Sequence, residues 1–112
     1  MAMGITTGIW VMAQVRICDR AFIPATVVRR GDPDAGTVLL KLNRFEQGVT
    51  VYAQTSSSGD EPAWSRGTGP TPVSEPEADA YIERQVKYDP DVWILEIEDR
   101  KGQYKLDGKV VG

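Results

Sequence analysis

The stretch Ser74-Glu75-Pro76-Glu77 constrains this chain more tightly than any other. A serine followed three positions later by a glutamate is a capping box: the Ser74 hydroxyl can accept from the Glu77 amide while the Glu77 carboxylate reaches back. The box predicts a helix beginning here. Ala78, Tyr81, Ile82 and Val86 form its buried stripe, Glu83 and Lys87 an outward i,i+4 pair, and Pro90 its stop. Directly afterwards Trp93, Leu95 and Ile97 alternate with Ile94, Glu96 and Glu98, which predicts a strand over Val92 to Glu98, core to the sheet, with one wholly apolar face and one mixed face.

Upstream, Thr26, Val27 and Val28 favour a strand within Ile23 to Arg30, with Pro24 at its start because proline cannot donate to a ladder. Gly31, Asp32, Pro33, Asp34 and Gly36 then punctuate the chain as turn residues. Strands resume over Thr37 to Arg44, where Val38, Leu40 and Leu42 share a face, and over Val49 to Ala53, where Val49, Val51 and Ala53 do. The short link Asn43 to Gly48 predicts an antiparallel hairpin, and the spacing of the three strands a meander. Residues 55–73 gather serine, glycine and proline around a lone Trp64, and read as a long flexible loop. Beyond Arg100-Lys101-Gly102 a short return strand is expected over Gln103 to Leu106, then a fraying polar tail. The first segment is ambiguous. Ile9, Val11, Ala13, Val15 and Ile17 alternate as a strand would, whereas Val11, Val15, Cys18 and Phe22 repeat at helical spacing, with Thr7 available as an N-cap.

With 112 residues the chain has material for one core, so a single domain over 1–112 is expected. A hydrophobic share of 41% and a charged share of 26% are those of a chain that folds. The formal net charge of −3, with no block of one sign, disfavours nucleic acid and anionic lipid as partners. Histidine is absent, which removes Ser-His-Asp triads and the commonest zinc and non-haem iron sites. A lone Cys18 makes no internal disulfide and points to a reducing, cytoplasmic setting. No targeting or membrane-spanning stretch is read from the sequence, and no glycine-rich phosphate loop; no cofactor and no metal are expected.

Trp10-Val11, Val28-Arg29-Arg30-Gly31-Asp32 with Ala35-Gly36, and Tyr88-Asp89-Pro90-Asp91-Val92-Trp93, taken in order, resemble an uncharacterised bacterial family known as domain of unknown function 1491. The resemblance runs from about Gly8 to Asp99 and rests on the order of several short motifs. It implies a helix for the first segment, of the form Trp/Phe-Val-x-Ala followed by a basic pair, and it implies no reaction. The chain departs from that pattern in offering Arg16 alone where the pair would sit, and in its Ser/Gly/Pro-rich stretch around Trp64.

Three places offer chemistry. Arg29, Arg30, Asp32 and Asp34 cluster at a strand end, where loops carry function, but each also has a sufficient turn or edge-strand role. Asp32-x-Asp34-x-Gly36 begins like a calcium loop and lacks the remaining ligands. Asp89 and Asp91 flank Pro90 and could act as a general acid and base in a cleft, or simply end a helix and open a strand. Trp64 is either an exposed binding anchor or a lid folded over the core. Trp10 and Trp93 read as core.

The expected fold is therefore α+β, in the order α-β-β-β-loop-α-β: a two-layer structure with an antiparallel sheet of four to five strands and both helices on one face. The expected function is a non-catalytic protein-binding module acting on an unknown protein partner through Trp64 with its loop and the Arg29 to Asp34 turn, with a homodimer left open. RNA or DNA binding through Arg29, Arg30, Lys41 and Arg44 is the alternative, echoing a double-stranded-RNA-binding order. A small carboxylate-dependent enzyme centred on Asp89 and Asp91 is the second alternative.

Overall fold

The computed structural model describes residues 6–55 and 61–111. The elements are α1 (Thr7–Arg20), β1 (Ala25–Arg29), β2 (Val38–Asn43), β3 (Val49–Thr55), β4 (Ala63–Arg66), α2 (Glu75–Tyr88), β5 (Trp93–Glu98) and β6 (Lys109–Val110), with one 3-10 turn at Phe45–Gln47. The α+β class is as the pattern predicts. The sheet differs from expectation in having six strands, in the order β1-β5-β2-β3-β4-β6, and in being mixed. The β2–β3 hairpin forms, with Leu40 opposite Tyr52. The expected meander does not, because β5 inserts between β1 and β2, antiparallel to the first and parallel to the second.

Burial explains the insertion. β2 reads Val-Leu-Leu-Lys-Leu-Asn and β5 reads Trp-Ile-Leu-Glu-Ile-Glu, so each carries apolar side chains on both faces. Strands of that kind belong in the centre of a sheet covered on both sides. Val38, Leu40, Trp93, Leu95 and Ile97 pack with Trp10, Val11 and Cys18 of α1, while Leu39, Val51 and Ile94 pack with Ala78 and Ile82 of α2. The two helices thus lie on opposite faces and the domain has three layers, which corrects the expected two-layer arrangement with both helices on one side. In β2 the expectation rested on Val38, Leu40 and Leu42 and left out Leu39, and in β5 the mixed face was not taken to need a covering helix, although Leu39 and Ile94 both lie under α2.

Each helix has a local cause. Thr6, rather than the expected Thr7, caps α1 by accepting from the Ile9 amide, and the Thr7 hydroxyl instead donates to the Gly36 carbonyl at 2.6 Å. At its other end the Ile23 amide returns to the Cys18 carbonyl at 2.9 Å, with Phe22 at φ 60° in the left-handed position that glycine usually takes. In α2 the Ser74 hydroxyl accepts from the Glu77 amide at 3.3 Å, as the capping box requires. On the α2 face Lys41 is buried, its side chain 7% exposed, with Nζ 2.8 Å from both Glu75 and Asp79 and 3.5 Å from Glu96. Burial alone would lower the Lys41 pKa, but the bonds to Asp79 and Glu75 and the charge of Glu96 outweigh it and drive the pKa up.

Within the stretch expected to be a loop, residues 63–66 form β4, antiparallel to β3, with Trp64 opposite Gln54. Residues 56–60 of that stretch lie outside the described residues. The expected return strand over Gln103 to Leu106 is absent. Those residues run as an irregular strap whose Tyr104 and Leu106 pack on the α1-side core, and the chain pairs only at Lys109–Val110, parallel to β4. Asp107 fastens the strap, its carboxylate accepting from the Trp10 indole at 2.7 Å and its carbonyl from the Trp64 indole at 2.7 Å. Among the described residues no helix is long and apolar enough to cross a membrane.

Replacing Asp107 by alanine leaves the Trp10 indole donor without its acceptor while sparing the carbonyl. The expected loss is about 1–3 kcal/mol of unfolding free energy, the cost of an unsatisfied buried donor, read from urea denaturation. An unchanged midpoint would show that the strap does not hold the core.

Candidate functional site: a groove between α1 and the 30–33 turn

Two motifs that are distant in sequence meet at one corner of the fold. The Asp32 amide donates to the Asp91 carbonyl at 3.0 Å, the Gly36 amide donates to the Asp32 carbonyl at 3.1 Å, and that same carbonyl accepts from the Trp93 indole at 2.8 Å. A guanidinium nitrogen of Arg29 donates to the Pro90 carbonyl. The N-terminus of α1 joins them through Gly8, whose amide donates to the Pro33 carbonyl at 2.9 Å.

Glycine is required at two places in this corner. A Cβ on Gly31 would overlap the Asp91 carbonyl oxygen and crowd the Trp93 ring, and one on Gly36 would strike the same carbonyl. Any side chain would force the 31–36 turn away from the 89–92 corner.

The carboxylates serve the same joinery. One oxygen of Asp89 accepts from the Asp91 amide at 3.1 Å and the other from the Thr37 hydroxyl at 3.2 Å. Asp32 accepts from the Asp34 amide at 3.2 Å, an Asx turn. Asp34 and Asp91 point outward. Among the described residues no group of three or more His, Cys, Asp or Glu side chains is placed to hold a metal.

Trp64 is fully buried at 0% exposure, its ring centroid 5.5 Å from that of Trp10. Of the two readings of Trp64, the inward one matches the structure, and the residue presents no surface to a partner. Sequence reasoning left both readings open and did not expect β4, because a fourth strand inside a Ser/Gly/Pro-rich stretch carries only a four-residue signal. Cys18 is buried too, and burial, with a smaller effect from Asp99, raises its pKa.

Arg29 and Arg30 diverge onto opposite faces. Between Val27 and Arg29 the β1 register shifts, pairing Val27 with Leu95 but Arg29 with Ile94. A bulge of this kind re-aims side chains. Arg29 consequently turns to the α2 face, whereas the Arg30 guanidinium lies 5.5 Å from the centroid of the Trp93 ring on the α1 face. There it helps line a groove of about 470 Å³ together with Ile9, Met12, Arg16, Pro33 and Trp93. Ile9 is 59% exposed and Met12 43%. Neither Arg16 nor Arg30 has an ion-pair partner among the described residues.

Ile9, Met12 and Arg16 did not figure among the residues expected at a site, although the sequence carries a signal for them. Over Thr7–Arg20 apolar residues occur around the whole circumference of the helix, with Ile9 and Met12 turned away from Val11 and Cys18, and Ile17 exposed at the flank beside Trp10. A helix of that kind has a second apolar face to account for.

The family model described as "Protein of unknown function (DUF1491)" matches residues 5–107. The chain belongs to the DUF1491 family. A crystal structure of a DUF1491 family protein from Caulobacter crescentus CB15 superposes with a TM-score of 0.82 at 37% identity, covering 98% of this chain and 100% of that one. The NMR structure of a DUF1491 family protein from the same organism gives 0.82 at 38% identity, covering 99% and 100%. A solution structure of a protein from A. tumefaciens gives 0.73 at 23% identity over 86% of each chain, a likeness of fold. No curated protein matches the chain.

The glycine-packed corner predicts the cost of filling it. Gly31→Ala should lower stability by about 1–3 kcal/mol, the range for forcing extra volume into a packed site. The change is measured as a fall in thermal midpoint followed by tryptophan fluorescence. A variant as stable as the parent would mean that the turn does not rest on the Asp91 carbonyl.

Proposed function

We propose that this DUF1491 protein is a non-catalytic binding module that takes an acidic, apolar segment of a protein partner into the groove between α1 and the 30–33 turn. The observation that carries this reading is the pairing of exposed apolar side chains, Ile9 and Met12, with two cations, Arg16 and Arg30, that have no ion-pair partner among the described residues. The chain as a whole is acidic, with a net charge of −3, so two arginines without an ion pair along one apolar groove favour a partner of the opposite sign. Arg30 comes from the turn that the sequence singled out. Trp64, being buried, takes no part.

The alternatives have less to draw on. The cations required for nucleic-acid binding are dispersed: Lys41 is enclosed by three carboxylates under α2, Arg44 donates to the Asp99 carbonyl, and Arg29 is tied to Pro90. One oxygen of Asp89 closes a turn and the other is held by the Thr37 hydroxyl, and neither Asp89 nor Asp91 lines the α1 groove.

A fluorescently labelled acidic amphipathic peptide, titrated at low ionic strength, provides the test. Saturable binding that weakens with added salt is expected. The double reversal Arg16→Glu with Arg30→Glu should weaken it at least about tenfold, as the loss of interfacial charge pairing implies. Failure of the peptide to bind, or equal binding by the variant, would remove the reading.

A further inference from the structure

The α2 face of the sheet is only partly covered, and the uncovered part holds a second groove. It lies between α2 and β1 above Ile94, has a volume of about 540 Å³, and is lined by Val28, Ile82, Val86 and Ile94 with Arg29, Lys87 and Glu83. This volume is within the range of roughly 300–1,000 Å³ common to small-molecule sites.

Arg29 sets this groove apart from an apolar patch. Regular strand alternation would place Arg29 on the α1 face with Val27; the bulge instead puts it opposite Ile94, among aliphatic side chains. One terminal nitrogen is anchored on the Pro90 carbonyl, while Nε is buried and has no hydrogen-bond partner. The guanidinium has one neutral acceptor and no ion pair among the described residues, and a charge set among aliphatic side chains favours an anionic partner. A guanidinium presents its donors as a planar fork that matches the two oxygens of a carboxylate.

We propose that this groove binds an aliphatic monocarboxylate, whose chain lies on Ile82, Val86 and Ile94 and whose carboxylate pairs with the part of the Arg29 guanidinium that faces the groove. Lys87 adds a second cation at the rim, against the single anion Glu83. The site is on the opposite face from the α1 groove and stands independently of the function proposed above.

Octanoate is the probe, below its micellar range, followed by amide chemical shifts of the unaltered protein. Saturable shifts confined to residues 28–29, 82–87 and 94 are expected. Octanol, with the same chain and no charge, should bind at least about tenfold more weakly, as the loss of a charge-assisted pair implies. Arg29→Met should abolish the octanoate shifts while keeping a dispersed spectrum. Arg29→Lys, which retains the charge and loses the fork, should weaken them several-fold. Equal binding of octanol, shifts located at the α1 groove, or no saturation with octanoate would each overturn the proposal.

Discussion

Parallel pairing of β2 with β5, from Val38 beside Trp93 to Asn43 beside Glu98, is the constraint on which the rest of this molecule depends. Both strands carry apolar side chains on both faces, so the pair must be covered above and below. That requirement places α1 and α2 on opposite sides and relegates β1 and β6 to the edges. It also divides the interior into two clusters, one built around Trp10, Trp64 and Trp93 and the other around Ile82, Val51 and Ile94. Asp107 locks the first by satisfying two indoles. Lys41 bridges the second to α2 through Glu75 and Asp79, an arrangement in which removing the cation would leave carboxylates crowded at the sheet.

Much of this fold is legible in the chain. The capping box at Ser74 fixes α2, and the alternation in β2, β3 and β5 fixes three strands, because helix starts and period-two patterns are local properties. Strand order is not local. A run such as Trp-Ile-Leu-Glu-Ile-Glu is compatible with one covered face or with two, and only the partner strands decide. The same limit hides β4: four residues around Trp64 carry too little periodicity to stand out from the Ser/Gly/Pro-rich sequence around them. The strap over residues 99–111 has no repeating pattern at all, since it is held by Asp99 accepting from the Gln103 and Tyr104 amides and by the Asp107 contacts.

The site was legible in a different way. The turn around Arg29 to Gly36 and the Asp89-Pro90-Asp91 corner stand out in the sequence, and the structure brings them together. Most of their residues, however, act as joinery. Gly31 and Gly36 permit close approach to the Asp91 carbonyl, Asp32 and Asp89 cap turns, and Trp93 is bonded to the Asp32 carbonyl. What the corner presents is Arg30, laid over Trp93 beside the outer face of α1. Conspicuous motifs thus mark the scaffold of the surface, while the side chains proposed to face a partner, Ile9, Met12 and Arg16, are ordinary residues on a helix.

The edge of α1 with the 30–33 turn is proposed as the working surface of this DUF1491 protein. Hydrogen–deuterium exchange of the unaltered protein, with and without a saturating acidic amphipathic peptide, tests it most directly, because the footprint reports location independently of affinity. Added protection is expected over residues 6–16 and 30–33, with α2 and β3 unchanged. Protection confined to α2, β1 or the 99–111 strap would contradict it.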